Sequence, residues 1–219
     1  MQKMLTPLSP SIKMIIFDHD DTLVSTIKAK WAQHKYIAET FYGKKLSNAD
    51  IRKHWGKPFT VLLKMLYETD HIDIAMSYNI ATRDKFPKRL FPKTISTITA
   101  LKNAGKKIGI LTATTTSSLM HDFQALGIPR DLFDYIQTED DTTHHKPDPR
   151  VCEPTIRWLE EHKIRANEVL CVGDQITDMM MAKAVGFNFI AVETGITSAQ
   201  EFEKNQTKVV RCLPELLAL

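Results

Sequence analysis

Beyond Pro92, short apolar runs of strand length alternate with segments of helical periodicity, and this alternation constrains the fold more than any other property of the chain. The spacing predicts helices over residues 94–103, stopped by Gly105, and 117–126, stopped by Gly127, with strands over 107–111 and 135–137. A helix over 149–162, a strand over 169–172, a helix over 177–185 before Gly186 and a strand over 187–192 continue the series, and residues 212–219 read as a short closing helix. Parallel strands need crossover connections, so alternating strands and helices imply an α/β parallel sheet covered on both faces. An earlier apolar run at 13–18, KMIIFD, is too short for a helix and reads as a further buried strand.

Between this first strand and Pro92 the pattern is different. Apolar residues recur at helical spacing, at Ile27, Trp31, Ile37 and Phe41 and again at Val61, Leu62, Met65 and Leu66, with no strand-like alternation. Ser47 or Asn48 could cap a helix there, and Gly43, Gly56 and Pro58 punctuate the segment. The expected organisation is an α/β core of residues 1–23 and 91–219, with a small α-helical domain of residues 24–90 inserted into it.

The 219 residues are 43% hydrophobic and 25% charged with a net charge of +3, which excludes collagen, coiled coil and wholesale disorder. No apolar run approaches the ~18–20 residues of a membrane-spanning helix, and the start shows no secretory pattern. Cys152, Cys171 and Cys212 are scattered and odd in number, which fits a reducing compartment, and a cytoplasmic location is expected. Basic residues form no block, so nucleic acid is not an expected partner.

In a parallel sheet the binding crevice lies beyond the carboxyl ends of the strands. The first strand ends in Asp18, followed by Asp20, Asp21 and Thr22; another runs into Thr112; a third leads to Gly173, Asp174 and Asp178; the intervening loop carries Lys146. A lone Asp, Thr or Lys in such places is usually a turn, cap or solvated residue. Several carboxylates gathered at one edge repel one another unless cations compensate, which points to a divalent metal and to Lys146.

The four segments FDHDDTL (17–23), ILTAT (110–114), KPDP (146–149) and VGDQITD (172–178), in that order and at those strand ends, resemble the haloacid dehalogenase superfamily, in particular its phosphoglycolate phosphatase and β-phosphoglucomutase-like branch with a helical cap. The 94 residues from Asp18 to Thr112 leave room for that cap, and the 34 from Thr112 to Lys146 leave none for a second. The resemblance implies a Rossmann-like core and a Mg²⁺-dependent phosphatase acting on a small phosphorylated metabolite through an aspartyl phosphate, as a monomer or homodimer. It implies Asp18 as nucleophile, Asp20 as general acid and base, and Lys146 as the positive charge facing both phosphoryl group and nucleophile. Thr112 and the backbone at Ala113 would bind phosphoryl oxygens, and Asp18, the Asp20 carbonyl, Asp174 and Asp178 would hold or orient the metal. Lys57, in a segment resembling the cap's specificity loop, is the expected second substrate contact.

Asp21 is expected as a turn residue, and His19 as a spacer turned away from the flanking aspartates by strand alternation. His144 and His145 are expected in a solvated loop, and Met179, Met180 and Met181 as packing residues. A phosphosugar mutase would share the motifs and differ in the final acceptor. Dehalogenase and phosphonatase relatives lack an acid at the position of Asp20. A response-regulator switch would order its Thr and Lys differently, and a silent binding protein would be expected to have lost one of these roles.

Overall fold

The computed structural model describes residues 10–218. The first nine residues, where no secretory pattern was read, and Leu219, the end of the expected closing helix and of the core domain, lie outside the described residues. Two compact units are present: one comprises the residues up to Ser25 and from Leu90 onward, the other Thr26–Arg89.

In chain order, β1 (Met14–Phe17) and the two-residue β2 (Val24–Ser25) lead into the second unit, which contains α1 (Ile27–Tyr42), α2 (Asn48–Arg52), α3 (Phe59–Tyr67) and α4 (Ile72–Thr82). The chain returns through β3 (Arg89–Leu90), which pairs with β2. Then follow α5 (Thr94–Asn103), β4 (Lys107–Leu111), α6 (Thr116–Leu126), β5 (Tyr135–Gln137), α7 (Glu153–Glu161), β6 (Val169–Gly173), α8 (Ile176–Ala184), β7 (Asn188–Val192), α9 (Ala199–Lys204) and β8 (Lys208–Val210). Cys212 precedes a 3₁₀ turn, Leu213–Ala218.

Six strands form one parallel sheet in the order β5-β4-β1-β6-β7-β8. β1 is central: Phe17 pairs with Ile110 of β4 on one side and Val172 of β6 on the other. Strand alternation divides the core. Ile15, Phe17, Ile108, Ile110, Leu170 and Val172 pack with Ile98 of α5 and Leu119 and Phe123 of α6. Met14, Ile16, Val169 and Cys171 pack with Leu159 of α7 and Met181 of α8 on the other face. The α/β parallel fold expected from the sequence is the fold observed.

Several details differ from expectation. The helix predicted from Pro149 begins as a 3₁₀ turn, Pro149–Cys152, and becomes α-helical only at Glu153. Pro154 has no N–H to give the Arg150 carbonyl, and the Glu153 N–H bonds that carbonyl instead, closing the tighter turn. Met179 and Met181 pack as expected, whereas Met180 is half exposed.

In the helical unit, Gly43 ends α1 at φ 62° and a Ser47–Asp50 capping box starts α2. Leu62, Leu63 and Leu66 of α3 are buried with Ile37, Ala38 and Ile51, while Phe41, Val61 and Met65 face outward. Its interior also holds polar groups: the Gln33 amide donates to the Asn79 carbonyl at 2.7 Å and to Thr82 at 3.0 Å, and His34 Nδ1 lies 2.7 Å from the Tyr67 hydroxyl. No helix among the described residues is long and apolar enough to cross a membrane.

Candidate active site

Strand order decides where side chains converge. β1 lies between β4 and β6, so the residues following these three strands, Asp18, Thr112 and Asp174, share one edge at the point where the order of connection reverses. Backbone bonds fix each position: the Asp18 N–H donates to the Val172 carbonyl at 2.9 Å and the Thr112 N–H to the Gln137 carbonyl at 3.0 Å.

Lys146 joins these ends. Its Nζ donates to Asp18 Oδ1 at 2.9 Å, Asp178 Oδ1 at 2.7 Å and the Leu111 carbonyl at 2.9 Å, which occupies all three of its protons. Its side chain is only 8% exposed, so the ammonium is a fixed charge rather than a solvated one. The Gln175 N–H donates to Asp178 Oδ2 at 3.1 Å, and Thr22, which the sequence reading left without a role, donates to Asp174 Oδ1 at 3.4 Å.

The electrostatics are those of a crowded anionic pocket. Burial, opposed by Lys146 and reinforced by Asp178 and Asp20, pushes the Asp18 carboxyl up to about 6. Burial, with Asp178, Asp18 and Asp21 beside it, raises Asp174 well above the carboxylate range. Burial works against the charge of Lys146, but Asp178 and Asp18 more than offset it and hold the ammonium above its ordinary range. One lysine against this many carboxylates leaves negative charge uncompensated.

Carboxylate oxygens of Asp18, Asp174 and Asp178 lie within 4.8 Å of one another, so this cluster could hold a metal ion. An all-oxygen, carboxylate-rich donor set suits a hard divalent cation better than zinc or copper. Two glycines make the cluster possible. A Cβ on Gly173 would lie 2.6 Å from Asp178 Oδ2, and one on Gly195 would lie 1.7 Å from Asp174 Oδ2. Gly195, in the loop after β7, went unnoticed in the sequence because only the folded loop shows what it approaches.

Around the remaining candidates, the Thr112 hydroxyl accepts from the Thr114 N–H at 3.1 Å, which leaves its own proton free to donate. Ala113 is exposed on the same loop. Asp20 is half-buried and its Oδ2 accepts from the Thr114 hydroxyl, a contact the sequence reading missed. Asp21 occupies a left-handed turn at φ 57°, with its carbonyl bonded by Thr194.

His19 departs from expectation. It is fully buried, its Nε2 lies 3.0 Å from Asp122 Oδ2, and its ring is within 4.8 Å of a carboxylate oxygen of Asp20. The strand ends at Phe17, so alternation no longer governs residue 19. His145 is exposed, 3.9 Å from Glu139, and His144 is half-buried in the same loop. Lys57 belongs to the helical unit, where it is exposed and its Nζ lies 3.1 Å from His54 Nδ1.

Residues 15–192 match the sequence profile of the haloacid dehalogenase-like hydrolases. The chain belongs to that family. As a haloacid dehalogenase-like hydrolase it is an enzyme, and its named relatives carry phosphatase activities. A pyrophosphatase PpaX of Oceanobacillus iheyensis is 29% identical over 83% of this chain and 84% of its own length. A phosphoglycolate phosphatase of Mesorhizobium japonicum is 29% identical over 87% of each chain. A solved structure from Bacteroides fragilis, provisionally described as a haloacid dehalogenase-like hydrolase, superposes with a TM-score of 0.78 and 27% identity, over 94% of this chain and 99% of that one.

Proposed function

We propose that this haloacid dehalogenase-family phosphatase hydrolyses a small phosphomonoester with Mg²⁺ bound and Asp18 as the nucleophile. The observation that carries this reading is the buried Lys146 ammonium bridging Asp18 and Asp178 beside Asp174, at the edge where Thr112 and Asp20 also lie. Asp18, Asp174, Asp178 and the Asp20 carbonyl would hold or orient Mg²⁺, which when bound offsets the negative charge of nucleophile and substrate.

The chain's own residues then have distinct tasks. A carboxylate oxygen of Asp18 attacks phosphorus in line with the ester oxygen, the P–O bond to the leaving group breaks, and an aspartyl phosphate forms. Lys146 holds Asp18 Oδ1 and so fixes the plane of the attacking carboxylate. Thr112 and the backbone N–H at Ala113 bind the phosphoryl oxygens as charge shifts among them. Asp20 gives its proton to the departing oxygen. As a carboxylate it then takes a proton from the water that attacks phosphorus, which releases phosphate and restores Asp18. The helical unit, inserted directly after the loop bearing Asp18 and Asp20, is read as the cap of this enzyme, with Lys57 as its substrate contact. Buried Cys152 and Cys171, both free, accord with a reducing, cytoplasmic setting.

Phosphate release from para-nitrophenyl phosphate, 2-phosphoglycolate, other small monoesters and pyrophosphate, with Mg²⁺ or with chelator, tests the reading. Turnover that needs Mg²⁺ and falls by at least about 10³-fold in Asp18→Asn is expected, since losing a covalent nucleophile removes a whole pathway. Turnover undiminished in Asp18→Asn overturns it. Transfer of the phosphoryl group to a second sugar hydroxyl instead of water would assign the same site to a mutase.

A further inference from the structure

The segment Thr112–Asp122 grips both residues that follow Asp18. At residue 19 the hold is the buried His19–Asp122 contact at 3.0 Å. At residue 20 it is the Thr114 hydroxyl, which donates to Asp20 Oδ2 across 94 positions of sequence. Thr114 is itself held at two further points: its N–H donates to Thr112 Oγ1 at 3.1 Å, and its carbonyl accepts from the Glu139 N–H at 3.1 Å. The loop continues into α6 through a Thr115 cap, and the Thr116 N–H donates to Asp140 at 2.8 Å. Thr114 therefore presents its hydroxyl from a backbone fixed on both sides.

From this geometry we propose that Thr114 is a positioning residue for the proton-transfer step, orienting the Asp20 carboxyl so that Oδ1 faces the leaving oxygen. The inference rests on the assignment of Asp20 as acid and base. A hydroxyl that donates to Oδ2 leaves the acid's own proton on Oδ1, and once that proton has gone the same donation stabilises the carboxylate. One hydrogen bond thus serves both halves of the reaction without rearrangement. The bond from the Thr114 N–H to Thr112 Oγ1 ties this orientation to the hydroxyl that binds the phosphoryl group, so acid and phosphoryl site keep a fixed separation.

The test uses aryl phosphates graded in leaving group, from 2,4-dinitrophenyl to phenyl phosphate, with wild type, Thr114→Val, Thr114→Ser and Asp20→Asn. A leaving group that departs without a proton does not need the acid; one that needs a proton does. Thr114→Val is expected to lower kcat/KM, which runs only as far as departure of the leaving group, by about 10- to 100-fold on phenyl phosphate, part of the ~10²–10⁴ available to general acid catalysis, and by less than about threefold on 2,4-dinitrophenyl phosphate. Its kcat, which includes the hydrolysis step shared by every ester, falls on both. Asp20→Asn should show the same slant more steeply, and Thr114→Ser should restore wild-type behaviour because the donor returns. An equal loss of kcat/KM on every ester in Thr114→Val, beside a graded loss in Asp20→Asn, overturns the role of Thr114 alone. A flat response of kcat/KM across the esters in Asp20→Asn overturns the assignment of the acid and the inference built on it. Circular dichroism and thermal unfolding of Thr114→Val that match wild type serve as the control for folding.

Discussion

Gly195 has no room for a side chain. A Cβ there would sit 1.7 Å from Asp174 Oδ2, and the loop or the carboxylate would have to move. Gly195→Ala is expected to weaken Mg²⁺ binding by at least about tenfold, the scale of effect seen when groups supporting a metal ligand are lost. Isothermal titration with Mg²⁺ would read this directly; unchanged affinity would show that Asp174 is not a ligand. The four motif segments were legible because their residue types recur at strand ends in a fixed order. Thr114 and Gly195 were not, for a physical reason: residues 112–116 hold four threonines, and which hydroxyl meets Asp20 depends on the turn the loop takes rather than on the letters. His19 was misplaced for a related reason, since alternation was carried two residues beyond the end of its strand.

Among the elements, the strong strand–helix alternation located β1, β4, β5, β6 and β7 from sequence alone. The closing pair α9 and β8 was missed because six and three residues are too few to display a period. The helical unit carries a feature that periodicity does not reveal. His34 is fully buried, and burial together with nearby Lys30 pushes its imidazole down to about 3. Between about 3 and the ordinary 6.5 the unfolded chain binds a proton that the folded unit refuses, so stability from this group is complete above 6.5 and is lost as pH falls toward 3. The slope is at most about 1.4 kcal/mol per pH unit. Trp31 and Trp55, edge to face at 5.8 Å, report on this unit, and the third tryptophan, Trp158, lies in α7 of the core. In a Trp158→Phe background, acid titration followed by fluorescence should show the helical unit loosening below pH 6.5, and His34→Gln, which keeps a partner for Tyr67, should flatten the response. An identical titration in both proteins would refute the assignment.

At the scale of the whole molecule, the site stores repulsion that a cation relieves. Asp18, raised from 3.8 to about 6, keeps a proton in the fold that the unfolded chain has lost, so its contribution to stability is present below about 4 and disappears as pH rises to about 6. A divalent ion competes for the same oxygens. The rise in Tm produced by Mg²⁺ is therefore expected to be larger at pH 8 than at pH 5, growing with the logarithm of concentration above Kd. Equal shifts at both pH values would place the ion elsewhere.

The central position of β1 has a consequence for how the molecule is made. Among the described strands β1 is made first, yet its two neighbours, Lys107–Leu111 and Val169–Gly173, follow only after the entire helical unit. The unit at Thr26–Arg89 is complete in sequence before either neighbour exists, while Asp18 waits 128 residues for Lys146. The nascent chain thus carries an unpaired apolar strand until the helical unit has been made, and an acidic loop without its lysine for longer still, so the enzyme's chemistry is assembled from segments far apart in the order of synthesis.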